Sequence, residues 1–103
     1  MKFMIKVQWD VEAGNAIMRS GKLAAIVESY MTEHKPEAIY FSSEGGKRGC
    51  TIIADVGDAS QIPALAEPFF LSSNASVEFL PVMLPRDLAK AGPSIEAAIK
   101  KYG

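Results

Sequence analysis

The stretch SSEGGKRGCT, residues 42–51, sets the chain's only cysteine among three glycines and two cations. Three chemistries would use such a segment: a phosphate-gripping loop, a thiolate nucleophile, or none beyond a turn. A phosphate loop needs a following helix whose N-terminal amides meet the anion. Here the residues that follow, CTIIADV, are β-branched and strand-like, and the G-x-x-x-x-G-K-[ST] spacing is not met. Gly45, Gly46 and Gly49 fit a hairpin that needs positive φ, with Lys47 and Arg48 keeping its tip soluble. A nucleophilic Cys50 would need a base close by to lower its pKa. The only histidine, His34, sits at the end of a different element, so Cys50 reads as a small buried hydrophobe.

His34 itself lies in TEHKPE. A lone imidazole can be a haem ligand or a general base, but at a helix C-terminus it more commonly complements the dipole. Metal binding lacks a second candidate, because Asp55, Asp58 and Glu78 are dispersed and no His/Cys cluster exists; no metal and no cofactor are expected. Trp9, Tyr30, Tyr40 and His34 are the candidates for a small-molecule pocket between the first helix and the sheet, against the plainer reading of the aromatic residues as core. Lys6, Asp55 and Glu78 can be an acid/base set or, more commonly, structural ion pairs at an interface.

The elements that must position these groups follow from periodicity. Phe3, Ile5, Val7 and Trp9 alternate with Met4, Lys6 and Gln8, a strand. From Val11 to His34 the apolar spacing becomes helical through Ile17, Leu23, Ile26, Val27, Tyr30 and Met31. One helix is expected, weakened by Gly14 and Gly21, with its first turn beginning near Asn15 and Pro36 closing it. Strands follow at Ala38–Ser42 and in CTIIADV. A second helix opens at Asp58 and Ser60 and is kinked or shortened at Pro68. ASVEFLPVM is the last core strand, and Pro81 places it at an edge or a bulge. A tail ends in a helix over about 94–102, capped by Ser94. The order predicts a single α+β domain over 1–103, core about 2–84, of ferredoxin-like βαββαβ type: a four-stranded antiparallel sheet with helices on one face, plus a C-terminal helix.

If Phe3, Ile5, Val7 and Trp9 face the helices, the same parity on the other strands selects Ile39, Phe41, Ile52, Ala54, Val56, Val77 and Phe79, all apolar. The opposite face carries Met4, Lys6, Gln8, Tyr40, Ile53, Asp55, Glu78 and Leu80. It is too apolar for water alone and too charged for a dry core. Such a face suits a second, identical sheet packed about a two-fold axis, with Lys6 beside Glu78 as a cross-strand pair and the tail helix reaching over the partner.

The βαββαβ order, the mixed second face and the opening MKFMIKVQW resemble the dimeric α+β barrel superfamily. Within it, the chain is similar to a small bacterial family of domains of unknown function. The likeness runs over residues 2 to about 88 and includes a closing strand like VEFLPVMLPRD. The resemblance implies a homodimer and, often, a pocket beside the sheet. It carries no catalytic motif over to this chain, and the superfamily spans monooxygenases, isomerases, haem enzymes and ligand-binding regulators, so fold does not choose among them. The expected function is binding or sensing of a small molecule. The alternatives are a cofactor-independent monooxygenase- or isomerase-like enzyme acting on a small hydrophobic substrate, and a structural or interaction module without ligand.

Composition sets the remaining bounds. The chain has 103 residues, 49% of them hydrophobic and 22% charged, and a formal net charge of -1. Near-neutrality gives no pull toward nucleic acid, and no basic and aromatic platform is present. No apolar run reaches the roughly 18 residues of a membrane span. One cysteine allows no internal disulfide, and the N-terminus, interrupted by Lys6, is unlike a signal peptide. The cytoplasm is the expected location.

Overall fold

The computed structural model describes residues 1–103. Its elements are β1 (Lys2–Gln8), α1 (Val11–Ser20), α2 (Leu23–His34), β2 (Ala38–Glu44), β3 (Lys47–Asp55), a 3-10 turn (Ala59–Gln61), α3 (Ile62–Ser73), β4 (Ser76–Pro81), α4 (Pro85–Lys90) and α5 (Gly92–Tyr102). The strands form one open antiparallel sheet in the order β2-β3-β1-β4, compatible with a ferredoxin-like arrangement. Pro81 lies on an edge strand, where its missing N–H removes no ladder bond from the interior.

The period-two pattern separates the two faces as expected. Ile5, Val7 and Trp9 of the first strand segment and Cys50, Ile52, Ala54 and Val56 of the third are buried, against Ile17, Tyr30, Leu65 and Phe69 from the helices. The four largest fully enclosed side chains are Trp9, Phe69, Ile5 and Ile52. Phe69 anchors an aromatic cluster, its ring 6.4 Å from Trp9 and 4.8 Å from Tyr30 between centroids. Both polar tips inside this core are satisfied. The Trp9 indole donates to Ser73 Oγ at 2.7 Å, and the Tyr30 hydroxyl donates to the Leu65 carbonyl at 2.9 Å. That is how large amphipathic rings are usually accommodated when buried.

Several local features differ from the periodicity reading. The single helix over Val11–His34 is two. Asp10 caps α1, its carboxylate accepting from the Ala13 amide at 2.8 Å, so α1 starts at Val11 rather than near Asn15. Gly21 then adopts φ 69° and ends α1, a left-handed cap that glycine takes without a Cβ clash. Leu23 falls six residues after Ile17, about 240° round a continuous helix, so the apolar face changes direction at Gly21. Pro68 neither ends nor shortens α3, which runs on to Ser73. The tail holds two helices: α5 begins at Gly92, with Pro93 in its first turn and Ser94 inside it rather than capping it. The short α4 is set by Pro85 and by Asp87, whose carboxylate accepts from the Leu84 amide at 2.8 Å.

The glycine stretch is a hairpin. Glu44 pairs with Lys47 across Gly45 and Gly46, whose φ values are 60° and 76°, the primed kind of turn that matches strand twist. Arg48 is exposed near the tip, as expected, and is also tied to the domain. It turns back onto α1, where its guanidinium donates to Asn15 Oδ1 at 2.8 Å.

No helix is long and apolar enough to cross a membrane. The molecule is elongated, 56 × 29 × 20 Å with a radius of gyration of 17.1 Å, against about 13 Å for a compact chain of this length.

Candidate functional site

The open face of the sheet is ordered in rows by the strand register. Ala38, Ile53, Met4 and Leu80 stand opposite one another across all four strands and make an apolar band. The next row on this face is Tyr40, Thr51, Lys6 and Glu78, and the next is Ser42, Gly49, Gln8 and Ser76. Polarity therefore rises along the strands, from the band toward the hairpin. Tyr40 is 65% exposed and Leu80 37%, large apolar surfaces left open in one chain.

A hollow of about 320 Å³ lies over the polar rows, lined by Lys6, Gln8, Ser42, Glu44, Thr51 and Glu78 among others. Gly49 makes it. It occupies the middle of the outer row and contributes no side chain, and a Cβ there would stand 2.6 Å from the Val7 carbonyl oxygen. The missing side chain lets β2 residues reach over the sheet. Glu44 bonds the Lys6 ammonium across the gap, and its carbonyl accepts from Gln8 Nε2 at 3.1 Å. Ser76 Oγ donates to the Gln8 carbonyl at 3.2 Å on the far wall. Lys6 is thus opposite Glu78 in register, as expected, but its ion partner is Glu44. Lys2 makes a second such pair with Glu37 beyond the apolar band, and this bond raises the Lys2 pKa above its ordinary value.

The expected pocket residues are not brought together. Trp9 and Tyr30 are buried in the core on the helical side, both hydrogen-bonded. Burial, with smaller effects from Cys50 and Glu33, pushes the Tyr30 phenol well above its ordinary pKa. Tyr40 points from the opposite face of the sheet. His34 packs its ring 4.6 Å from that of Tyr30, and its Nε2 is enclosed without a hydrogen-bond partner; the nearest carboxylate, Glu33, stands at 3.9 Å. Of the residues expected on the open face, Met4, Lys6, Gln8, Tyr40, Ile53, Glu78 and Leu80 share its three central rows, and Asp55 closes the row next to Lys2.

Cys50 projects into the core, and burial raises its thiol to about 11. A thiol so placed is protonated at neutral pH and is no nucleophile. Within the hollow, Lys6, Glu44 and Glu78 supply charge of both signs, and Gln8, Ser42, Thr51 and Ser76 supply neutral donors and acceptors. Such an array suits a small polar molecule.

Glu44 and Gly49 escaped the sequence reading. The signal was present: carrying the Ala38, Tyr40, Ser42 parity one step further puts Glu44 on the open face, and the Thr51, Ile53 parity carried backward puts Gly49 there.

A second depression lies on the helical side at the β2 edge. It is an open groove of about 760 Å³, lined mainly by Ile17, Met18, Leu23, Val27, Met31 and Phe41. Its character is apolar, and Glu28 is its charged wall. No protein-family model matches the chain, and no curated protein matches it.

Proposed function

We propose that this protein is a homodimer, paired through the open sheet faces, which binds or senses a small polar molecule in the hollow over Gly49. The observation that carries this reading is the sorting of one face into an apolar band and an adjoining polar hollow. The band of Ala38, Ile53, Met4 and Leu80, continued by Tyr40, is the kind of surface a second sheet covers. A two-fold pairing lays the same rows of the partner over them. The hollow then becomes a chamber between sheets, walled by Lys6, Glu44 and Glu78 with neutral polar groups beside them. Water leaves such a chamber, which strengthens each charge–ligand contact. A ligand carrying a cationic or hydroxyl group can meet Glu44 and Glu78, and an anionic or carbonyl group can meet Lys6.

Native mass spectrometry of protein purified from its host tests both halves of this reading. The expected spectrum shows twice the 11.1 kDa chain mass plus a retained small molecule, which the Lys6→Met/Glu44→Gln double variant releases. A spectrum of dimers carrying no added mass refutes the binding half, and one of monomers refutes the pairing.

A further inference from the structure

The C-terminal helices α4 and α5 form an arm that belongs to no layer of the domain. Neither holds a buried residue, and their packing is chiefly on one another. They account for the elongated shape. Yet the arm is not built for solvent. Ile95, Ile99 and Tyr102 fall at i, i+4 and i+7 on α5, one helical stripe, and Leu88 adds to it from α4; all four are exposed.

The groove on the helical side is the complementary surface. Leu23, Val27 and Met31 recur every four residues and line it along the length of α2, with Met18 and Phe41 as its other walls. Met18, Met31 and Phe41 are each at least half exposed. An 11-residue α5 and a 12-residue α2 are of matching length, so the two stripes can face each other from end to end. Charge matches as well. The arm, residues 85–103, holds four basic and two acidic side chains, and the rest of the chain seven basic and ten acidic. Lys100 and Lys101 close α5, while Glu28 walls the groove and Glu33 follows it on α2.

The arm's root and its own groove stand on opposite edges of the sheet. Val82 still donates to the Lys2 carbonyl at 3.1 Å, which fixes the root beside β4. The groove lies by β2, three strand spacings or roughly 14 Å away. A two-fold axis running along the strands between the paired sheets exchanges these edges: each β4 edge then lies beside the partner's β2 edge.

We infer that the α4–α5 arm of one chain docks in the α1–α2–β2 groove of a second copy, so that two arms and two grooves are satisfied together. This rests on the face-to-face pairing proposed above and adds the arm exchange to it.

The test uses full-length Met31→Cys and Ile99→Cys variants, purified separately, then unfolded, mixed and refolded, and mildly oxidised. Both positions are exposed in one chain, so folding does not depend on them, and Cys50 is buried. A second pair, Thr32→Cys and Tyr102→Cys, repeats the measurement at other exposed sites. The expected result is disulfide-linked dimer from the mixture at least fivefold above either variant alone. If mixtures yield no linked dimer while each variant sediments as a dimer, the arm exchange is refuted and the sheet pairing stands. If the double variant Met31→Cys/Ile99→Cys closes within one chain, the arm lies on its own groove and the exchange is likewise refuted. Variants and wild type that sediment as monomers refute the pairing and the exchange together.

Discussion

The substitution Gly49→Ala adds one methyl group where the structure leaves no room for it. The new Cβ would stand 2.6 Å from the Val7 carbonyl oxygen, roughly an ångström inside ordinary contact. That neighbour is backbone in the ladder between β1 and β3, the centre of the sheet, so it cannot swing aside as a side-chain tip does. The strands must separate locally or the bonds near Val7 must bend. Overpacking of this kind costs about 1–3 kcal/mol, which for a chain of this size lowers Tm by roughly 5–20 °C. Gly92→Ala is the control, because a Cβ there meets nothing within 4 Å. Thermal unfolding of the two variants at equal protein concentration, which matters for an associating chain, gives the comparison. A Gly49→Ala melting point within about 2 °C of both wild type and Gly92→Ala, well below that range, would refute the close approach and with it the account of how the hollow forms.

The core and the thiol make three further predictions. Ser73→Ala strips the Trp9 indole of its buried acceptor, and urea unfolding should show a loss of about 1–3 kcal/mol; an unchanged midpoint would mean that the indole finds another partner. Cys50 should be silent to a thiol reagent at neutral pH in the folded protein and reactive once it is unfolded. Its folded pKa, raised from 9.0 to about 11, makes the protonated thiol a stabilising feature fully present below pH 9. Stability should therefore fall as pH rises from about 9 to 11, and Cys50→Ala should flatten that part of the profile.

Strand parity was legible in the sequence because one face had to be uniformly apolar, and Ile5, Val7, Ile52 and Ala54 obey it without exception. Burial follows the same pattern on the two central strands, while Phe41 on the β2 edge has the core-facing parity yet is 54% exposed. The break at Gly21 left only a partial signal: Ile17 and Leu23 are six residues apart, about 240° round an unbroken helix, and so do not share a face. Only the left-handed cap at Gly21 separates α1 from α2. The short α4 escaped because six residues carry too little periodicity, and Pro85 reads equally as a loop or as a first helical turn. The aromatic residues misdirected the reading of the site. Trp9 and Tyr30 have the size and polar tips of pocket residues, but Ser73 and the Leu65 carbonyl satisfy them inside the core. The hollow depends on an absent side chain, Gly49, and on Glu44 reaching across it to Lys6, a relation that needs the register of three strands to see. The sparse contact between the arm and the domain is likewise a property of the assembled chain and has no signature in α5 itself, which reads as an ordinary amphipathic helix.

Sedimentation equilibrium of the wild-type chain beside Ile53→Lys tests the pairing of open faces most directly. Ile53 sits in the middle of the apolar band, between Ala38 and Met4, and its side chain touches no part of the helical core, so a lysine there leaves the fold intact and charges the interface alone. The account predicts twice 11.1 kDa for wild type and 11.1 kDa for the variant at the same micromolar concentration. A wild-type chain that sediments at 11.1 kDa, or a variant that remains fully dimeric, would contradict it.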